Sequence, residues 1–204
     1  MDDRSAQLKK IKDEIVSLED SPFYEDRVKN KYFPVIGEGS HTAKLMFVGE
    51  APGETEAKTG RPFVGRAGKL LDKLLAEVGI ERKDIYITNI VKDRPPGNRD
   101  PLPDEINLYA PFLDRQISII KPKVIATLGR FSMQYVMNRY GLEWELAPIS
   151  SLHGKVFDVP SEALAKLGTD IMKVVPLYHP AAAIYNQELL KTLQKDFQVL
   201  ASMV

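Results

Sequence analysis

The 204-residue sequence contains no cysteine. Disulfide bonds, zinc sites with thiolate ligands and iron–sulfur clusters held by cysteine are therefore excluded for this chain. Histidine is also scarce. Only His41, His153 and His179 are present, and no two of them have the H-x-x-x-H spacing of a helical zinc site. We therefore expect the protein to bind no metal.

The sequence also lacks long apolar runs and an excess of charge of either sign. No run is long enough to cross a bilayer, and the charged start MDDRSAQLKK differs from a secretory signal peptide. We therefore expect a cytoplasmic protein with no membrane partner. The 28 basic and 28 acidic residues cancel, which argues weakly against a nucleic-acid binder. Basic residues are nevertheless concentrated in KTGRPFVGRAGK (58–69) and KDRPPGNR (92–99), although such runs often form only a solvated face.

Short apolar runs alternate along the chain with stretches in which apolar residues recur at helical spacing. The predicted strands are KLMFVG (44–49), DIYITNI (84–90), KVIATLG (123–129) and IMKVVPLY (171–178). Helices are predicted around residues 8–18, 67–78, 103–120 and 131–139, and a last helix from Pro180 to Leu200.

This alternation favours right-handed crossovers between parallel strands. We predict an α/β fold with three layers, α/β/α, around a central four-stranded, mainly parallel sheet. Neither a flexible linker nor an internal repeat interrupts the pattern. We therefore expect a single domain over residues 1–204.

Polar residues able to take part in chemistry lie where the predicted strands end. Glu50 follows the first strand, Asn89 ends the second and His179 follows the fourth, whereas the third ends at Gly129. Ligands of an open parallel sheet bind beyond the carboxyl ends of its strands. We therefore expect these side chains and the two basic segments to share one rim of the sheet. This argument indicates a site without identifying its substrate.

The glycine-rich segment GEAPGETEAKTGRPFVGRAG (49–68) leaves the end of the first strand. Such segments are either surface connections or places where the backbone approaches a ligand closely. The candidate residues also have ordinary structural interpretations: Glu50 as a cap or solvated turn residue, Phe63 as core, Asn89 as a partner of backbone groups and His179 as a helix N-cap. Their convergence on one rim favours a site.

Three long segments resemble the family-four uracil-DNA glycosylases of bacteria and archaea. They are GEGSHTAKLMFVGEAPGETEAKTGRPFVGRAGKLLDKLL, TNIVKDRPPGNRDPLPDEI and YHPAAAIYNQELLKTLQKDF. The resemblance extends from about Ser21 to the C-terminus. It implies a four-stranded parallel sheet between helices. It also implies a monofunctional DNA-repair enzyme that flips uracil out of DNA and hydrolyses its N-glycosidic bond, leaving an abasic site.

One departure from the family is large. Its members usually hold a four-iron cluster with four cysteines, and the matching positions here are Ser21, Tyr24, Asp93 and Tyr109. We infer a member without the cluster and therefore without a cofactor. We expect packing by Tyr24 and Tyr109 to replace it.

The resemblance implies catalytic roles for Glu50 and His179. Glu50 would stabilise the sugar cation and position a water molecule. His179 would donate a hydrogen bond to uracil O2, helped by the positive end of the helix that begins at Pro180. Asn89 would recognise uracil O4 and N3–H.

Further residues are implied in binding the base. The backbone from Gly49 to Ala51 would approach uracil, and Phe63 would stack on its face. Glu56 would occupy the space of a methyl group at C5 and exclude thymine.

The basic segments fit contacts with DNA phosphates. The candidates are Arg61, Arg66, Arg94 and Arg99. After His179, either Ile184 or Tyr185 would act as a wedge in the minor groove. The expected partner is uracil-containing DNA, single- or double-stranded, and we expect a monomer.

Alternative functions remain open at this point. The same fold could remove another deaminated base, such as hypoxanthine or xanthine, since pocket size is not readable from sequence. A DNA-binding module without catalysis is a second alternative, against which Glu50, Asn89 and His179 argue together. A protein that binds uracil-DNA covalently through an inserted, histidine-bearing loop is a third, but FVGRAGKLL (63–71) contains no such insertion.

Overall fold

The computed structural model describes residues 3–203, so residues 1–2 and 204 of the expected domain lie outside the described residues. One six-stranded sheet with the order β1-β3-β2-β4-β6-β5 forms the centre of the fold. The strands are β1 (Glu38–Gly39), β2 (Leu45–Gly49), β3 (Tyr86–Asn89), β4 (Val124–Leu128), β5 (Phe157–Asp158) and β6 (Lys173–Leu177).

The four central strands are parallel, as predicted. β2 pairs with β3 and β4, and β4 pairs with β6. The two edge strands β1 and β5 are antiparallel and contain two residues each. The sequence-based count of four strands missed these edges because a two-residue strand is too short to show alternation.

Ten helices surround the sheet in the described part of the chain. They are α1 (Asp3–Val16), α2 (Tyr24–Asn30), α3 (Glu54–Thr59), α4 (Arg66–Glu77), α5 (Pro103–Ile120), α6 (Arg130–Arg139), α7 (Ile149–Leu152), α8 (Ser161–Leu167), α9 (Pro180–Ala183) and α10 (Gln187–Ala201). Short 3-10 helices cover Arg82–Asp84, Pro96–Asn98 and Glu143–Glu145. No helix within residues 3–203 is both long and apolar enough to span a membrane.

The two faces of the sheet carry separate apolar clusters. Met46 and Val48 of β2 point into a cluster that contains residues of α1, α5 and α6. Leu45 and Phe47 point the other way, into a cluster that contains residues of α4 and α10. Alternate side chains of a strand point to opposite faces, so β2 contributes to both cores. The predicted three-layer α/β/α arrangement is therefore confirmed.

The C-terminal helix differs from the prediction. We expected one helix from Pro180 to Leu200, but α9 ends at Ala183 and α10 begins at Gln187. The side chain of Asn186 accepts hydrogen bonds from the backbone N–H groups of Glu188 and Leu189, so α10 has its own N-cap. The helix that follows His179 is therefore only one turn long, and its dipole is correspondingly weak.

Three of the four positions matched to the family's cysteines form a buried polar network. The Tyr109 hydroxyl donates to Asp93 Oδ2 at 2.6 Å and lies 2.7 Å from Ser21 Oγ. Arg27 Nη1 lies 3.0 Å from the same Asp93 oxygen. Arg27 also donates to the backbone oxygen of Ile15 in α1. The network thus connects both N-terminal helices to the segment after β3 and to α5.

The fourth position lies at the edge of this network. Tyr24 is only partly buried, and the Arg27 guanidinium lies 5.1 Å from the centre of its ring. Tyr109 is fully buried and stacks on Phe23 with ring centroids 6.2 Å apart. The structure therefore contains hydrogen bonds and a buried ion pair in addition to the aromatic packing that we expected from Tyr24 and Tyr109.

We predict that Tyr109→Phe lowers the free energy of unfolding by about 1–3 kcal/mol, because buried polar partners lose their hydrogen bonds. The measurement is denaturant unfolding of the variant and the parent protein. Tyr135→Phe is the matched control. Its hydroxyl contacts Asp114 at 3.2 Å near the surface, and Asp114 keeps Tyr140 as a partner. Equal losses in the two variants would contradict the proposed importance of the buried network.

Candidate active site

Three strand ends meet at one cleft of about 500 Å³. Glu50 follows β2, Asn89 ends β3 and His179 follows β6, and all three side chains line the cleft. The expectation that these residues share one rim is therefore met in the structure. The other predicted site residues that line the cleft are Ala51, Glu56, Phe63 and Arg99.

Gly49 lies beneath the cleft and has no room for a side chain. A Cβ atom at this position would overlap Asn89 Oδ1 and would lie 2.8 Å from Phe63 Cζ. Gly49 is also paired with Asn89 in the register of β2 and β3. Glycine is required here because two side chains of the site cross the end of its strand.

Asn89 presents a buried acceptor to the cleft. The residue is 1% exposed, and its Oδ1 atom has no hydrogen-bond partner among residues 3–203. A buried carbonyl oxygen without a donor costs about 1–3 kcal/mol. The arrangement suits a ligand that brings an N–H group to this oxygen.

The Phe63 ring forms a wall of the cleft and faces His179, with ring centroids 5.7 Å apart. Its backbone has φ of +48°, a conformation that is unfavourable for a bulky residue. Arg82 holds this conformation by donating to the carbonyl oxygens of Pro62 at 2.5 Å and Phe63 at 3.2 Å. Gly68 allows the close approach, since a Cβ there would overlap the Phe63 carbonyl.

Arg82 was missed by the sequence analysis. It lies in an ordinary charged turn, and nothing in its local pattern indicates that it reaches a backbone 19 positions earlier. Asp72 fixes the guanidinium with a contact of 2.6 Å. Arg82 therefore supports the wall of the cleft without lining it.

Glu56 belongs to α3, a short helix within the segment that we expected to be a loop. Its Oε1 atom accepts hydrogen bonds from the backbone N–H groups of Val64 at 2.9 Å and Gly65 at 2.8 Å. Glu56 thus fixes the position of the Phe63 turn as well as lining the cleft. Glu54, in contrast, is exposed and pairs with Lys58 on the surface of α3.

The protonation state of His179 follows from its contacts. Its Nδ1 atom accepts a hydrogen bond from the backbone N–H of Ala181 at 3.2 Å, so the proton of the neutral ring is on Nε2. Burial lowers the pKa of His179 to about 4, against a smaller opposing effect of Glu56. At neutral pH the ring is therefore uncharged and donates through Nε2. The N-cap interpretation is correct and leaves this nitrogen free to act in the cleft.

Glu50 is a half-buried carboxylate with an unusual proton affinity. Burial, and secondarily the charge of Asp100, raise its pKa to about 7, while Arg130 acts in the opposite direction. No hydrogen bond or ion pair to this carboxylate is present among residues 3–203. Its predicted alternative role as a helix cap is therefore not supported. Asp100 and Arg130 were missed by the sequence analysis, because their influence depends on the fold.

The predicted DNA-contacting arginines differ in their contacts. Three have acidic or amide partners: Arg61 contacts Glu38, Arg99 contacts Glu105 and Arg94 contacts Asn98. Arg66 donates instead to the Tyr185 hydroxyl at 2.7 Å. Tyr185 is 83% exposed, whereas Ile184 is partly buried.

Comparison with known proteins identifies relatives over most of the chain. The Uracil DNA glycosylase superfamily matches residues 36–201. A Type-4 uracil-DNA glycosylase of Sulfurisphaera tokodaii is 46% identical over 197 residues, which is 96% of this chain and 84% of that protein. Type-4 uracil-DNA glycosylases of Archaeoglobus fulgidus and Thermotoga maritima are 43% and 41% identical, each over 177 residues. These alignments cover 87% and 86% of this chain, and 84% and 85% of the respective relatives.

We predict that Glu50→Gln stabilises the protein at pH 8 but not at pH 5. The pKa of Glu50 is raised in the folded state, so folded-state stability falls as the pH rises from about 4.5 to about 7. The amide variant avoids this loss. The difference in unfolding free energy between variant and parent should grow by about 1–2 kcal/mol over this range, allowing for solvent screening.

Denaturant unfolding at several pH values measures this difference. Glu143→Gln makes the same chemical change at an exposed position on a 3-10 helix and is the matched control. A constant difference between Glu50→Gln and the parent from pH 5 to pH 8 would show that the carboxylate is not destabilised by burial.

Proposed function

The chain belongs to the uracil DNA glycosylase superfamily, and we propose that its cleft receives a uracil flipped out of DNA. The protein is a monofunctional uracil-DNA glycosylase of DNA repair. It hydrolyses the N-glycosidic bond and leaves an abasic site. The assignment of the base pocket rests on the buried Oδ1 atom of Asn89, which lines the cleft and has no hydrogen-bond partner within the described range 3–203.

Asn89 recognises the edge of uracil. Its Oδ1 atom accepts a hydrogen bond from N3–H, and its Nδ2 group donates to O4. Cytosine presents an acceptor at N3 and a donor at C4, so both contacts would be mismatched. Mismatched buried polar groups cost about 2–4 kcal/mol in total, which is enough to exclude cytosine from the cleft.

Glu50 and His179 act on opposite sides of the breaking bond. As the bond between C1′ and N1 breaks, positive charge builds on the sugar and negative charge on uracil. The ionised Glu50 carboxylate stabilises the sugar cation and positions the attacking water. The Nε2–H group of His179 donates to uracil O2. This donation needs no charge on the imidazole, which agrees with the lowered pKa of His179.

The remaining cleft residues select and hold the base. Phe63 stacks on the face of uracil, and the backbone from Gly49 to Ala51 approaches its edge. Glu56 occupies the space beside C5 and excludes the methyl group of thymine. Its two hydrogen bonds to backbone N–H groups support this role, because they hold the carboxylate rigidly.

DNA is bound around the mouth of the cleft. Arg61, Arg66, Arg94 and Arg99 contact phosphates, although Arg61 and Arg99 must exchange their acidic partners for DNA. Tyr185 rather than Ile184 is the wedge, since its side chain is exposed and lies two residues beyond α9. Both single- and double-stranded DNA are accepted as substrates in this proposal.

The protein functions without an iron–sulfur cluster. Iron–sulfur clusters are held by thiolates, whereas Ser21, Asp93 and Tyr109 offer oxygen atoms that are already hydrogen-bonded to one another. These residues do not fit the family's cluster. We further propose that residues 1–204 act as one domain, as a monomer, in the cytoplasm of a bacterium or archaeon.

We predict that the protein releases uracil from oligonucleotides and that Glu50→Ala and His179→Ala each lose most of this turnover while retaining DNA binding. Uracil, hypoxanthine, xanthine and a thymine mismatch are tested in single- and double-stranded substrates, scored for abasic sites. Release of hypoxanthine or xanthine in place of uracil would support the same-fold alternative. Full activity of both variants would rule out the mechanism.

We predict that purified protein contains no stoichiometric iron or sulfide and that its unfolding temperature is unchanged by a strong iron chelator. Elemental analysis and thermal unfolding measure these quantities. Protein produced with and without added iron provides the control. An iron content near four per chain would contradict the proposal that the polar network replaces the cluster.

A further inference from the structure

Lys92 is a fully buried lysine that contacts the backbone of Asn89, a residue that lines the cleft. Its exposed fraction is 0%, although it belongs to the basic segment 92–99 and such runs often form a solvated face. Its Nζ atom lies 2.6 Å from the backbone oxygen of Asn89, 2.7 Å from Thr88 Oγ1 and 2.7 Å from Gln116 Oε1. None of the roles described above uses this residue.

All three partners of Lys92 act as hydrogen-bond acceptors. The Thr88 hydroxyl has its own acceptor, the backbone oxygen of Ile36 at 2.8 Å. Gln116 Nε2 donates to the same oxygen and to the Tyr86 hydroxyl, which turns Oε1 toward Lys92. An ammonium group has three N–H donors and satisfies all three acceptors, whereas a neutral amine has only two. The three hydrogen bonds therefore favour the charged form, against the effect of burial.

This positive charge has no acidic partner among residues 3–203. The neighbouring carboxylate, Asp93, is engaged by Arg27 and Tyr109. Burial lowers the pKa of Lys92 well below its usual range, so keeping an ammonium group here is costly. Only hydrogen-bond dipoles stabilise this buried charge. Because the protein interior has a low dielectric constant, the charge interacts with neighbouring groups more strongly than it would in water. The cleft on the other side of Asn89 belongs to those surroundings.

We propose that Lys92 is a positioning residue that fixes the main chain of Asn89 and stabilises, by its buried charge, the uracil anion that leaves the sugar. This inference rests on the proposed function. The electron pair of the C1′–N1 bond goes to uracil, water supplies the new C1′–O bond, and the remaining water proton ends on uracil. Lys92 transfers no proton. Because His179 is neutral, the positive charge next to the main chain of Asn89 comes from Lys92.

The test compares Lys92→Met with the parent protein on oligonucleotides carrying uracil or 5-fluorouracil. Fluorine stabilises the departing anion, so a substrate with this base depends less on a positive charge in the protein. We expect single-turnover cleavage of uracil to fall about 10- to 100-fold. Cleavage of 5-fluorouracil should fall less, so that the ratio of the two rates rises at least about threefold.

A purely structural role predicts a different result. Displacement of Asn89 would slow both substrates by the same factor, because both bases present the same O4 and N3–H groups. An unchanged ratio of the two rates in a folded Lys92→Met protein would therefore overturn the proposal. Steric effects of fluorine near Glu56 cancel in this comparison, since they are present in both proteins.

A second variant covers the case in which Lys92→Met does not fold. Gln116→Glu keeps an oxygen acceptor beside the Lys92 ammonium and adds a negative charge that neutralises it. The variant loses the hydrogen bond from Gln116 Nε2 to the Ile36 oxygen, whereas the Tyr86 hydroxyl can turn to donate to the new carboxylate. The ion pair with Lys92 offsets this loss, while the charge effect on uracil should disappear. We expect the same rise in the rate ratio. An unchanged ratio in this variant would also overturn the proposal.

Lys44→Met is the matched control for the loss of one positive charge. Lys44 is exposed and precedes β2 at the opposite end of the strand from Glu50. We expect unchanged rates on both substrates. Failure of the parent protein itself to release uracil would contradict the proposed function, whereas a failed Lys92 test in an active parent would contradict only this inference.

Discussion

The close pairing of Gly49 with Asn89 is the constraint on which the site depends. The register of β2 and β3 places these residues side by side, and the missing side chain of Gly49 allows the Asn89 amide and the Phe63 ring to cross the strand end. The backbone of Ile90 then donates to Gly49, and that of Val91 to Glu50. One stretch of strand pairing therefore fixes the Asn89 amide, the Phe63 ring and the backbone of Glu50 relative to each other.

Much of this arrangement could be predicted from sequence, because parallel strands display their ends at a common edge. Glu50, Asn89 and His179 were placed together from strand ends alone. Other features depend on contacts that have no local signal. Arg82 holds the Phe63 turn from another part of the chain, and the burial of Lys92, which belongs to a basic segment of the sequence, follows only from the packing of α5. The break after α9 was missed because apolar spacing continues across it.

The pocket combines groups that are individually unfavourable for folding. Among residues 3–203, the half-buried Glu50 carboxylate has no partner and Asn89 Oδ1 has no donor, and Phe63 has a positive φ. Such unfavourable features persist only where the packing of the surrounding residues allows no other arrangement. Here the two apolar clusters on either side of the sheet supply that rigidity, and the unfavourable groups lie together around one cleft.

Hydrogen bonds and an ion pair among Arg27, Asp93 and Tyr109 attach the N-terminal helices to the rest of the fold. The atoms of this network are ordinary side-chain oxygens and nitrogens, present as soon as the chain is synthesised. We propose that no step of metal delivery or sulfide assembly has to precede docking, because side-chain hydrogen bonds alone attach these helices. Since the chain carries no thiol, oxidants find no cysteine to modify. Attachment of these helices would then depend on chain folding alone and not on iron supply.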